Sequence, residues 1–129
     1  MEVALTDVQN SSYEFSSPGW PNGYDNNLRC AWIFISPPGT HLMLRILAMS
    51  LEETSDCVAD FVAVYDGNAL ETENSASLLQ TLCFSNSTQT WIKASDLMTV
   101  KFQSDGYVNK TGFSAYVYRG KAFFNLFLY

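Results

Sequence analysis

The feature that most constrains this chain is its punctuation. Short runs rich in Val, Ile, Phe, Tyr and Trp recur between clusters of Gly, Pro, Asn and Asp, and no sustained helical period appears. Branched and aromatic side chains suit a half-buried pleated face, and Gly and Pro supply the turn geometry between runs. The runs are Tyr13–Ser16, Cys30–Ile35, His41–Leu47, Asp60–Tyr65, Leu78–Cys83, Thr90–Ile92, Leu97–Gln103 and Phe113–Tyr118. Turns are expected at Pro18-Gly19, Pro21-Asn22-Gly23, Pro37-Pro38-Gly39, Asp66-Gly67 and Asp105-Gly106. The pattern predicts an all-β chain, a two-sheet antiparallel β-sandwich.

One irregularity bears on chemistry. Leu42, Leu44 and Ile46 alternate, and then Met49 and Leu51 resume the alternation one residue out of step. A β-bulge near Leu47-Ala48 keeps both sets on the core face. Glu52 then follows directly after the last buried residue. Leu97–Gln103 behaves alike, with Met98, Val100 and Phe102 inward and Ser104-Asp105 at its end. Two strands therefore each finish at a carboxylate.

The charge balance narrows the partners. Thirteen acidic residues face seven basic ones, a net charge of −6. Nucleic-acid binding, which needs a basic stripe, is excluded; cations and basic protein patches remain. No stretch approaches the ~20 apolar residues of a membrane span, so no membrane insertion by this segment is expected. The opening MEVALTDVQNSS lacks the layout of a signal peptide. That points to the cytosol, or to a fragment whose targeting signal lies outside it.

The cysteines and sequons favour the second option. Asn10, Asn86 and Asn109 each head an N-x-S/T triplet, and Cys30, Cys57 and Cys83 sit among turn-punctuated strands. Together they predict a secreted, extracellular setting with N-glycosylation. Other chemistries find little support. The single histidine, His41, has no nucleophile and acid at motif spacing and reads as a surface residue at a strand start. One histidine also rules out an ordinary multi-His zinc site. There is no G-x-S-x-G, no P-loop and no G-x-G-x-x-G. Tyr13, Trp20, Trp32, Phe61 and Trp91 are read as core.

In order along the chain, SSPGWPNGY, CAWIF, LEETSDCVADFVAVYDG, Leu82-Cys83, VKFQSD and GFSAYVY resemble the successive motifs of a CUB domain, an extracellular β-sandwich module. Trp20 stands where the family usually has Tyr. The resemblance covers residues 12–119, leaving 1–11 as an N-terminal segment and 120–129 as an apolar tail. An immunoglobulin domain is the rival sandwich, but its tryptophan lies well downstream of the first cysteine. Here Trp32 comes two residues after Cys30. The family pairs its third and fourth cysteines, which implies a Cys57–Cys83 disulfide. Cys30 is then either a small buried hydrophobe or a residue whose family partner lies outside this chain.

CUB domains come in two kinds, of which one binds calcium. That kind has a glutamate five residues before the third cysteine, an aspartate three after it, another in the Ser-Asp pair, and a tyrosine ending P-x-x-Y. Glu52, Asp60, Asp105 and Tyr24 stand at those positions. The chemistry agrees, because Ca²⁺ takes 6–8 hard oxygen ligands. Three carboxylates supply about four of them, and the backbone carbonyl of Tyr107 can add another. Tyr24 is expected to steady Glu52 from behind the ligands. Where the family often has Ser or Asn shortly after the Ser-Asp pair, this chain reads Gly106-Tyr107-Val108-Asn109, so a ligand role for Asn109 is not expected.

The resemblance implies a non-catalytic protein-binding module. Its calcium orders Glu52 and Asp105, whose remaining oxygens receive a Lys or Arg of an extracellular partner. Two alternatives share the fold: an accessory exosite domain of a secreted protease, and a calcium-independent glycan-binding module as in spermadhesins.

Overall fold

The computed structural model describes residues 2–7 (backbone only), 12–70, 76–88, 90–106 and 110–120. Among them are nine strands: β1 (Glu2–Asp7), β2 (Ser12–Ser16), β3 (Arg29–Ile35), β4 (His41–Ser50), β5 (Phe61–Asp66), β6 (Ser77–Leu82), β7 (Trp91–Ala94), β8 (Leu97–Gln103) and β9 (Gly112–Gly120). A single 3-10 turn, Ser85–Ser87, is the only helical element among the described residues. The strands form a five-stranded sheet of order β1-β3-β8-β5-β6 and a four-stranded sheet of order β2-β9-β4-β7. All pairings are antiparallel except β1 with β3, which runs parallel from Glu2↔Cys30 to Asp7↔Ile35.

Eight of these strands overlap the runs read from the sequence. Strand β1 does not, because EVALTD mixes acidic and small residues and lacks the aromatic enrichment of the other runs. Its pairing with β3 is a tertiary event. Of the apolar tail, Gly120 ends β9 and residues 121–129 lie outside the described residues.

The inward rows of the two sheets form one core. Phe15 of β2 packs 5.0 Å from both Trp32 and Phe34 of β3, and Phe113 of β9 meets Trp32 edge-on at 5.8 Å. Phe34, Phe102 and Phe113 are fully buried, each stabilising the fold by roughly 1.5–3 kcal/mol through apolar surface removed from water. Cys30 is buried in the same core and takes part in no disulfide among the described residues.

The bulge falls where the broken alternation put it. The β4–β9 register shifts between Ile46 and Ala48, and Leu42, Leu44, Ile46, Met49 and Leu51 are all buried. The extra residue turns both halves of β4 to the core, so the strand delivers Glu52 at its end. Two aromatic expectations need correction. Tyr13 is exposed and Trp91 is 45% exposed. Four-residue β7 buries Ile92 and Ala94, so strand alternation forces Trp91 outward.

Glycine is required where the chain folds back at the start of β9. Gly112 has φ +108, and a Cβ there would collide with the Ser17 hydroxyl. That hydroxyl accepts from Phe113 N at 3.0 Å, fastening the segment after β2 to β9.

Candidate metal centre

Three chain segments converge at one end of the sandwich. The first is the exit of β4, where buried Leu51 anchors the backbone and half-buried Glu52 follows. The second is the turn before β5. Cys57 N donates to Thr54 O at 3.1 Å and Val58 N to Thr54 Oγ1 at 3.0 Å. Cys57 sits in the left-handed region at φ +51, which costs a non-glycine residue about 1–2 kcal/mol. Its disulfide to Cys83, with a Cα–Cα distance of 5.4 Å, fixes the turn and agrees with the expected pairing. Three residues on, Asp60 is fully buried.

The third segment is the end of β8. Ser104 is buried, and its hydroxyl accepts from Leu28 N at 2.9 Å and donates to Asp25 O at 2.8 Å. Ser104 N donates to Leu28 O at 3.0 Å, and Asn27 N donates to Asp105 O at 2.8 Å. These bonds fasten residues 24–28 to the end of β8, which brings Tyr24 to the carboxylates. Sequence reasoning treated Ser104 only as half of a motif. Its signal was the Ser-Asp pair, and its work is structural.

Glu52, Asp60 and Asp105 each place one carboxylate oxygen within 4.8 Å of the others. Asp60 is the hub. Its Oδ2 accepts from the Tyr24 hydroxyl at 2.5 Å, and its Oδ1 accepts from Asp105 N at 2.8 Å. This departs from the expectation that Tyr24 steadies the Glu52 side chain. A hydroxyl has one hydrogen, and here it goes to Asp60, the carboxylate with no access to water. Tyr24 meets Glu52 through the backbone instead, accepting from Glu52 N at 3.4 Å. The Tyr24 ring is buried edge-on against Phe102 at 5.2 Å. Burial, the hydrogen bond to Asp60 and the charge of Asp60 together push its hydroxyl far above the ordinary tyrosine range.

Glu52 carries the electrostatic tension. Desolvation first, then the charges of Asp105 and Asp60, raise its carboxyl above the usual glutamate value, with Lys110 acting in the opposite direction. Its Oε1 is enclosed and has no hydrogen-bond partner. A buried carboxylate oxygen with no donor beside two more carboxylates is costly unless a cation is shared among them. The donor set is all hard oxygen, which fits Ca²⁺ and not a thiolate- or imidazole-seeking metal. Beside Glu52 a cleft of about 500 Å³ is lined by Ser50, Glu53, Ser85 and Lys110. Lys110 escaped the sequence reading, because its nearness depends on how β9 begins.

Tyr107, Asn10 and Asn109 lie outside the described residues. Asn86 is exposed on the 3-10 turn. His41 begins β4 and is not among the clustered acidic residues.

The model of the CUB domain matches residues 5–117. A cubilin homolog of Drosophila melanogaster is 37% identical over 117 residues, spanning 88% of this chain and 3% of that protein. The zinc metalloproteinase nas-39 of Caenorhabditis elegans is 33% identical over 103 residues, spanning 80% of this chain and 11% of that protein. The full extracellular region of zebrafish Gpr126/Adgrg6 superposes with a TM-score of 0.75 at 27% identity, over 92% of this chain and 14% of that one. The chain thus spans only a small part of each relative. Matched along nearly its whole length by sequence and by fold, this chain belongs to the CUB domain family, whose members are interaction modules of extracellular proteins.

Proposed function

We propose that this domain is a calcium-dependent, non-catalytic protein-binding module. Glu52, Asp60, Asp105 and the backbone carbonyl of Tyr107 hold one Ca²⁺, and Glu52 and Asp105 receive a Lys or Arg of an extracellular partner. The observation that carries this reading is the convergence of three carboxylates, one of which, Glu52, has an enclosed oxygen with no donor of its own. Calcium supplies the positive charge that lets all three ionise side by side.

The protein's own groups do the positioning. Tyr24 and the Asp105 amide fix both oxygens of Asp60. The bulge and buried Leu51 aim Glu52, and the bonds of Ser104 aim Asp105. A basic side chain entering the cleft beside Glu52 makes charge-assisted hydrogen bonds, each about 1.5–3 kcal/mol. One such module binds weakly, and repetition within a larger chain adds avidity.

Isothermal calorimetry with calcium tests the reading, alongside thermal unfolding in calcium and in EDTA. A ligand at a hundredfold excess over its dissociation constant adds about 2.7 kcal/mol of stability, so calcium should raise Tm by several degrees. Asp60→Ala should abolish the shift. No heat and no shift at millimolar calcium would remove the site.

A second reading follows from the nas-39 relative, a zinc metalloproteinase: the module serves as an exosite domain of a secreted protease. Sequencing the transcript on either side distinguishes the two, since a protease domain beside this module would favour the second.

A further inference from the structure

The outer face of the four-stranded sheet carries a cluster that neither the core nor the carboxylate centre uses. On its outward rows Arg45 of β4 lies in register between Trp91 of β7 and Tyr116 of β9. The guanidinium carbon of Arg45 sits 4.9 Å from the centre of the Trp91 ring. Tyr118 meets that ring edge-on at 5.6 Å and Tyr116 does so at 6.4 Å, with the two tyrosines 6.0 Å apart. Met43 lies opposite Tyr118 in the register.

Two independent features separate this face from an ordinary solvated sheet surface. The first is composition. Trp, Tyr, Arg and Met are the side chains enriched at the desolvated centres of protein interfaces, where rigid aromatic rings supply area at small entropic cost. Here three aromatic rings brace one another before any partner arrives, and Trp91 is 45% exposed. The second is charge. The Nε of Arg45 is enclosed without a hydrogen-bond partner, and its guanidinium lies over the Trp91 ring. Glu14, on the outward row of β2, lies across from Tyr116, with β9 between it and Arg45. In a chain of net charge −6, the outward rows of β4 and β7 present Arg45 and Lys93. With Nε enclosed, an Arg fixed on a ring meets a carboxylate through the outer Nη pair of its planar fork, which can bind it by two parallel bonds.

We propose that the outer face of the β2-β9-β4-β7 sheet is a second docking surface. It takes an acidic segment of a partner protein, whose carboxylate meets Arg45 while its apolar neighbours pack on Trp91, Tyr116 and Tyr118. The surface lies on the middle of the strands rather than at the loop end holding Glu52, and its charge preference is the reverse. One module can then engage two partners of opposite sign. The inference does not depend on calcium.

The test is an NMR titration of the ¹⁵N-labelled domain in EDTA and again in calcium. The probes are blocked peptides alternating Leu or Phe with Glu, and their Gln and Lys counterparts. The Glu peptide should shift the Trp91 indole N–H and the amides of β4, β7 and β9 equally in both conditions. It should bind about tenfold or more tighter than the Gln peptide, the discrimination expected of one charge-assisted contact. Arg45→Gln should erase that preference, and Trp91→Ala should weaken binding of every peptide. Arg45→Lys serves if Arg45→Gln fails to fold; it keeps the charge without the fork and should still lose several-fold. Equal affinity for the Glu and Gln peptides, indifference to Arg45→Gln, or no shift on this face would overturn the proposal. A sedimentation series revealing a dimer that Trp91→Ala dissolves would also overturn it, in favour of a second copy of this chain. Because the EDTA arm excludes calcium, failure of the metal site leaves this test intact.

Discussion

The Tyr24 hydroxyl donates to Asp60 Oδ2 at 2.5 Å, and both side chains are buried. The pair links the loop after β2 to the turn before β5, so it is at once a fold contact and the foundation of the carboxylate centre. Tyr24→Phe leaves Asp60 with only the Asp105 amide among these two bonds. Losing a hydrogen bond to a buried carboxylate should cost about 1.5–3 kcal/mol, read as a lower denaturation midpoint in EDTA with an unchanged slope. Calcium should still bind, more weakly, because all three carboxylates remain.

The raised pKa of Glu52 sets a pH dependence with opposite signs in the two metal states. The folded state keeps the Glu52 proton to higher pH than the unfolded chain, whose value lies near 4.5. Between the two values the folded state binds more protons, so this residue's contribution to stability falls as pH rises through that window. Metal ligands must be ionised, so the calcium-induced rise in Tm grows through the same window. Paired melts in EDTA and in calcium from pH 4 upward, compared with Glu52→Gln, check both slopes. The variant should flatten each.

Lys110 competes with a cation for the same field, since its charge favours ionised Glu52. Removing it by Lys110→Ala should strengthen calcium binding about two- to fivefold at low salt, with the gain shrinking as salt screens the field. Calorimetry at two ionic strengths reads it. Weaker binding in the variant would mean that the lysine holds the loop in place.

The Cys57–Cys83 bridge closes a loop with a sequence separation of 26, which in the chain-entropy model is worth about 3.5 kcal/mol. Replacing both cysteines with Ser should lower stability by a few kcal/mol and weaken calcium binding, because Cys57 no longer fixes the turn that delivers Asp60. Non-reducing peptide mapping of the native protein should recover the 57–83 linkage. Finding Cys30 linked to either would contradict it.

Asn86 is exposed and heads a sequon on the 3-10 turn. Expression in a glycosylating host should add a glycan there, visible by intact mass and lost in Asn86→Gln. Calcium affinity should not change, because Asn86 is not one of the clustered acidic residues.

Much of this was written in the chain because strands and turns are local. Alternation picked out eight of the nine strands, and the one-residue slip between Ile46 and Met49 located the bulge that points Glu52 outward after Leu51. The resemblance to the calcium-binding kind of CUB domain nominated Glu52, Asp60 and Asp105, and it was legible because each stands at a strand end or beside a cysteine, features visible within a few residues. What the tertiary structure decided was every relationship across long separations. Tyr24 and Asp60 are 36 residues apart, and their contact depends on long-range bonds such as those of Ser104 to Asp25 and Leu28, which fasten the Tyr24 loop to the end of β8. The parallel β1–β3 pairing carries no local signature, since hydrogen bonds between distant strands leave no periodicity in a short mixed run. Trp91 read as core because its hydrophobicity is a property of the residue. Its exposure is a property of which row of β7 faces the opposing sheet, and only packing determines that.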